Sequence, residues 1–222
     1  MDGRIQRSLW IMMVLFFTVS SFGCVGVGAH LMYWMQGSRV DPEYAGLEEK
    51  RVAVVCMTDA APYGPDNSMR ILGKQVRRRL ASEIKKIELV SSSELNRWTD
   101  SNNWDQIDYL EIGKGVNADV VIAIELSGYT LQQGSALYRG ATNYSVQVYD
   151  LGSEKNARTP VYGKGPVEFS FPKDHPIPVS SSLSSTRFEQ MFLTELGDTI
   201  SNYFCGYERP DSIAKDAASN RH

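Results

Sequence analysis

The chain has 222 residues, a formal net charge of −3 and a sequence pI near 5.7. That balance gives no global attraction to nucleic acid or to an anionic membrane, so an electrostatic partner has to be met by a local patch. Three cysteines, Cys24, Cys56 and Cys205, are too few and too scattered for a disulfide framework or a zinc knuckle, which need several thiols at short fixed spacings.

Arg4 and Arg7 precede an apolar run from Leu9 to Val19, followed by Ser20-Ser21-Phe22-Gly23-Cys24. A basic start, an apolar stretch of about 11 residues and small residues at its end are the pattern of a secretory signal. Ser21-Phe-Gly-Cys24 resembles the lipobox of bacterial lipoproteins, whose cysteine is lipidated and becomes the first mature residue. Gly23 and Cys24 match, and Ser21 stands where that family usually has leucine. Val25 to Met35 is also apolar, so a single uncleaved membrane span, with Arg4 and Arg7 on the cytoplasmic side, fits as well, and a freely secreted form is the third alternative. Each of the three places the folded domain on the periplasmic side of the cell envelope. Asp41-Pro42-Glu43 through Glu48-Glu49-Lys50 reads as a polar linker. The expected division is residues 1–23 as signal or start of an anchor, 24–50 as anchor-proximal segment and linker, 51–207 as the domain, and 208–222 as a disordered tail.

Within the domain, Arg51 to Met57 is a β-branched apolar run and reads as the first strand. A loop rich in glycine and proline follows, Ser68 is the expected N-cap of a helix, and Leu72, Val76, Leu80 and Ile84 recur every four residues as its apolar face. Ile87 to Val90 returns as a short strand parallel to the first. Ser91-Ser-Ser-Glu94 reads as a capping box for a short helix through Leu95 and Trp98. A second helix carrying Ile107, Leu110, Ile112 and Val116 leads to Ala118–Leu126, a run apolar on both faces and therefore the centre of the sheet. Ala136–Asp150 and Thr159–Phe171 alternate as antiparallel strands across a turn at Gly152-Ser-Glu-Lys-Asn156. A long helix from Ser185 to Tyr203, with Phe188, Phe192, Leu196 and Ile200 on one face, closes the domain and is expected against the first strand. The fold class is α/β (α+β): one domain, a mixed sheet of about five strands, and helices packed mainly on one face.

Val52-Ala-Val-Val, Ile87-Glu-Leu-Val-Ser-Ser-Ser-Glu-Leu95, Gly115-Val-Asn-Ala-Asp-Val-Val-Ile122 and Tyr144-Ser-Val-Gln-Val-Tyr-Asp150 together carry a likeness. The pattern resembles a group of bacterial envelope lipoprotein domains that includes the amino-terminal domain of TolB, the curli-secretion protein CsgG and the penicillin-binding-protein activator LpoB. The resemblance covers roughly residues 50 to 206. It implies a sheet with helices that binds proteins or assembles, without catalysis, metal or cofactor, and whose partner is the membrane, another envelope protein or a second copy. The long pore-forming hairpins of the curli channel have no counterpart in the sequence, which counts against a secretion pore, and a transport or secretion accessory working as an oligomeric ring stands as a further alternative.

Candidate chemistry is sparse. Of three histidines only His175, in a proline-rich loop, is placed to act, with Asp174 or Asp119 as companions in a competing hydrolase or transferase reading. A loop histidine without a visible partner reads more simply as a solvated residue. Gly113-Lys-Gly115 and Gly163-Lys-Gly165 lack phosphate-loop spacing and read as turns. The first helix carries Arg70, Lys74, Arg77, Arg78, Lys85 and Lys86 with Arg79 against a single Glu83, which is either a solvated face or a patch for an anionic partner. Tyr138 and Tyr144 fall on one face of their strand and Tyr149 on the other. Cys56 and Cys205 end elements expected to be neighbours, so they either pair or stand as two buried thiols.

Overall fold

The central apolar run forms β4 (Val120–Gln133), which continues well past Leu126 and turns back at Gly134 into β5 (Leu137–Asp150). The structure, a computed structural model, describes residues 39–59, 67–102, 108–152, 158–180 and 182–208. Cys24, the amino-terminal apolar segment and the tail from Arg209 lie outside the described residues.

Before β4 come β2 (Arg51–Thr58), α1 (Asn67–Glu83), β3 (Glu88–Leu89), α2 (Ser92–Ser101) and α3 (Tyr109–Gly115). After β5 come β6 (Tyr162–Phe171), β7 (Ile177–Pro178) and α4 (Ser185–Ser201). The sheet has the order β3-β2-β4-β5-β6, with β7 pairing to the start of β5. β2 runs parallel to β3 and β4, and the remaining pairs are antiparallel, so the sheet is mixed. Separately, β1 (Arg39–Val40) pairs antiparallel with β8 (Tyr207–Glu208), Arg39 opposite Glu208.

Alternation divides the core. Val52, Val54, Ile122, Ile124, Tyr144, Val146 and Phe169 face one side, where Leu72, Val76 and Leu80 of α1 and Phe192, Leu193, Leu196 and Ile200 of α4 cover them. Ala53, Val55 and Val121 face the other, under Ile112, Val116, Leu95 and Trp98 of the two short helices. Each fully buried leucine, isoleucine or phenylalanine stabilises by roughly 1.5–3 kcal/mol, so the face carrying the two long helices dominates. This is the α+β arrangement expected, with Tyr138 and Tyr144 on the major face and Tyr149 on the minor one.

Several expectations need correction. α4 does not dock on β2. It lies beside α1 and over β5 and β6, with Phe192 packed on Phe169 at a centroid distance of 5.5 Å, because α1 already occupies the surface above β2. The polar segment before β2 belongs to the folded unit Pro42–Gly206: Leu47 is 1% exposed and the Tyr44 amide donates to the Tyr203 carbonyl at 2.9 Å. Ser68 is not a cap but lies inside α1, buried, with its hydroxyl on Glu189 at 2.5 Å. Ser91 caps α2 as expected, accepting from the Glu94 amide, while the Glu94 carboxylate turns to Arg51 at 2.7 Å instead of completing the box. Neither glycine-lysine-glycine is a turn: the first closes α3 and the second lies in β6 at an irregularity opposite Tyr144–Val146. Of the two alternatives for Cys56 and Cys205, the structure holds separate thiols, Cys205 buried and Cys56 partly so.

Candidate functional site

α4 begins at Ser184, whose hydroxyl accepts from the Arg187 amide and satisfies one of the donors left open at a helix start. Its inward face is the apolar stripe already described. One flank is locked to α1: Gln75 donates to Asp198 at 2.7 Å, and Glu189 accepts from Ser68 and, at 3.1 Å, from Tyr129. Gly197 makes the approach possible, since a Cβ there would lie 2.7 Å from Cγ of Gln75. The helix is therefore held rigidly on two sides.

The opposite flank is open. Ser184, Thr186, Arg187, Gln190, Met191, Thr194 and Glu195 line, with Phe171 from the end of β6, a groove of about 620 Å³. Its floor is Phe171, whose ring packs on Phe188 at 6.2 Å, and Met191, which is 39% exposed. Arg187 and Glu195 are exposed, and neither forms an ion pair among the described residues. A shallow apolar floor between two opposite charges on a rigid helix suits a protein surface or peptide. Sequence periodicity identified this helix through its buried face and passed over the outer one, where the signal is a single methionine among polar residues.

The helix expected to run to Lys86 ends at Glu83, and the basic residues of α1 and the turn after it separate into two groups. Arg70, Lys74, Arg78 and Lys85 are exposed. Arg77 folds across Gly73 beside Cys56 and reaches the Ser92 hydroxyl, with burial holding its guanidinium below the ordinary arginine value. Lys86, in the turn after the helix at φ 55°, donates to Glu49 at 2.5 Å, and Arg79 pairs with Glu83 at 3.3 Å. Burial also pushes the Cys56 thiol up to about 12, against the opposing pull of Arg77.

His175 and Asp174 are both exposed in the loop between β6 and β7. Asp119 stands at the start of β4, accepting from the Arg51 amide at 2.8 Å. β7 pairs with Tyr138 and Val120 with Asp150, so the length of β5 separates His175 from Asp119 by roughly 40 Å. The structure does not bring those two together. On the minor face Glu125 accepts from the Tyr109 hydroxyl at 2.6 Å, and burial first, then that bond, raises the phenol above its ordinary value. Among the described residues no helix is long and apolar enough to cross a membrane, and no three His, Cys, Asp or Glu side chains converge as metal ligands.

No family model matches the chain, and no curated protein matches it. Among solved structures it is similar to the lipoprotein GNA1162 from Neisseria meningitidis, at 11% identity and a TM-score of 0.41 over 68% of this chain and 98% of that one. It is similar also to the PelC dodecamer from Paraburkholderia phytofirmans, at 10% identity and a TM-score of 0.37 over 71% and 91%. A third is the LpoB C-terminal domain from Salmonella enterica, at 15% identity and a TM-score of 0.36 over 63% and 90%. LpoB is one of the proteins that the sequence pattern resembles.

Proposed function

We infer that this chain is a membrane-anchored cell-envelope protein, held by a lipidated Cys24, whose domain on the periplasmic side binds a protein partner or assembles without performing catalysis. The observation that carries the reading is the open flank of α4, where an exposed methionine lies between an arginine and a glutamate that form no ion pair among the described residues. Methionine, arginine and aromatic side chains are enriched at protein interfaces relative to the rest of a surface, and Met191, Arg187 and Phe171 stand together here on a helix fixed from behind. The amino-terminal pattern of two arginines, an apolar stretch and Gly23-Cys24 supplies the anchor. Arg70, Lys74, Arg78 and Lys85 provide a second surface, suited to anionic headgroups or an acidic partner.

In-cell crosslinking of a tagged copy tests this, with mass spectrometry of the captured proteins and of the chain's own amino terminus. The expected result is a stoichiometric envelope protein or a second copy, together with peptides that begin at a lipidated Cys24. An intact amino terminus with no partner and no self-crosslinks would overturn both the lipid anchor, leaving an uncleaved span, and the binding role.

A further inference from the structure

The ridge along the groove carries opposite charges at equal distances from its centre. Arg187 and Glu195 stand four residues to either side of Met191, about 6 Å along the axis in each direction. Two turns apart, they are too distant to pair within the helix, where partners are three or four residues apart. Turned end for end about a two-fold axis through Met191, the stripe complements itself: Arg187 meets Glu195 of a second copy, Glu195 meets that copy's arginine, and the two methionines meet at the centre. A surface of this kind is what an isologous interface requires.

We propose that the occupant of the groove is a second copy of this chain, docked by antiparallel contact of α4 with its counterpart. The proposal rests on the reading of the domain as a binding or assembly module. The ridge Arg187–Met191–Glu195 follows the i, i+4 direction, the row that interdigitates in the commonest class of helix packing. Phe171, on the floor of the groove, offers an aromatic ring to the methionine sulfurs. Ser184, Thr186, Gln190 and Thr194 form a polar rim without a charge to bury.

Other surfaces suit self-association less well. The exposed face of α1 carries Arg70, Lys74 and Arg78 against Glu83 alone, so two copies meeting there would bring an excess of like charge together. The edge strand β6 carries Lys164 and Pro166 and is irregular in its pairing with β5, features that disfavour strand addition. A contact of two helical turns is small for a protein interface, so the dimer is weak in dilute solution and relies on local concentration at a surface.

Sedimentation velocity of the full chain in mild detergent, over a range of concentrations and salt, tests the interface. The expected result is a salt-sensitive dimer whose dissociation constant rises at least about tenfold with R187E and again with E195R, each of which turns two attractive pairs into two repulsive ones. Mixing the two variants should restore dimers, since each then supplies the charge the other lacks, and M191C should give a reducible dimer joined through position 191. All three positions are exposed, so unchanged melting temperatures should show that the variants fold. A wild-type dimer indifferent to both reversals overturns the interface. A monomer at every concentration, with a photocrosslinker at 191 capturing another envelope protein, overturns the second copy while leaving the binding module standing. A monomer with no capture overturns both.

Discussion

Both carboxylate oxygens of Glu43 accept from Nζ of Lys164 at 3.0 Å, tying the segment before β2 to β6, more than a hundred residues later. The Tyr162 hydroxyl adds a third bond at 2.9 Å. Lys164 lowers the Glu43 pKa, chiefly through that hydrogen bond, and Glu43 in turn raises that of Lys164. A carboxylate depressed on folding stabilises above its unfolded pKa and loses that contribution as pH falls through the folded value. A lysine raised on folding stabilises below its unfolded pKa and loses its contribution as pH rises through the folded value. E43Q should therefore lower the melting temperature at neutral pH, and the difference from wild type should disappear in acid. Thermal melts of both proteins between about pH 3 and 8 check this, and a difference that persists at the acid end would show that the ion pair is not its source.

Gly140 lies directly under Phe192. A Cβ at that position would come within 2.1 Å of Cδ2 of the ring, and Phe192 is fully buried between Phe169 and Tyr129 with nowhere to retreat. G140A should destabilise by about 1–3 kcal/mol through overpacking. F192L should recover part of the loss in the double variant, although alone it leaves a cavity and destabilises. Denaturant melts of the two single variants and the double form the cycle, and strict additivity would mean that the clash is relieved elsewhere.

The parts of the fold that were legible in the sequence are those where one residue type repeats at one period. Val52–Val55 and Val120–Ile124 read as strands because both faces are buried, and Leu72, Val76 and Leu80 read as a helix because one face is. The continuation of β4 from Ser127 to Gln133 was not legible. There only Tyr129 and Leu131 turn toward the core, and the register with β5 shifts on both sides of Thr130, so neither composition nor alternation announces a strand. The packing of Leu47 and Tyr44 was hidden by the charges around them, which a window average reads as a tether. The groove escaped for a related reason. Its chemistry is a relation between Arg187, Met191 and Glu195 across the outer face of α4, and a reading by apolar period assigns that face to solvent.

Cys56 should be inert in the folded protein. With its thiol pushed up to about 12, the thiolate fraction at pH 8 is on the order of 10⁻⁴. Gly73 and Arg77 of α1 also close over the sulfur. Alkylation at Cys56, followed by mass spectrometry of its peptide, should be slow in buffer and become rapid in denaturant. Rapid modification without unfolding would mean that α1 lifts from β2 in the native state.

The six basic positions expected to act as one patch should divide into two classes. K74E and R78E lie at exposed positions and should leave the melting temperature within about 0.5 kcal/mol of wild type in equivalent stability. If the α1 face meets anionic headgroups, both should weaken binding of the full chain to vesicles containing phosphatidylglycerol, and more so at low salt. R77A should do the reverse. Arg77 spends its length on Gly73, Cys56 and the Ser92 hydroxyl rather than on solvent, so its removal should cost about 1–2 kcal/mol through lost packing and a lost charged hydrogen bond. Vesicle binding by the folded R77A protein should change little. Vesicle co-sedimentation beside denaturant melts separates the classes, and a loss of vesicle binding with R77A equal to that with R78E would place Arg77 on the outer surface and refute the division.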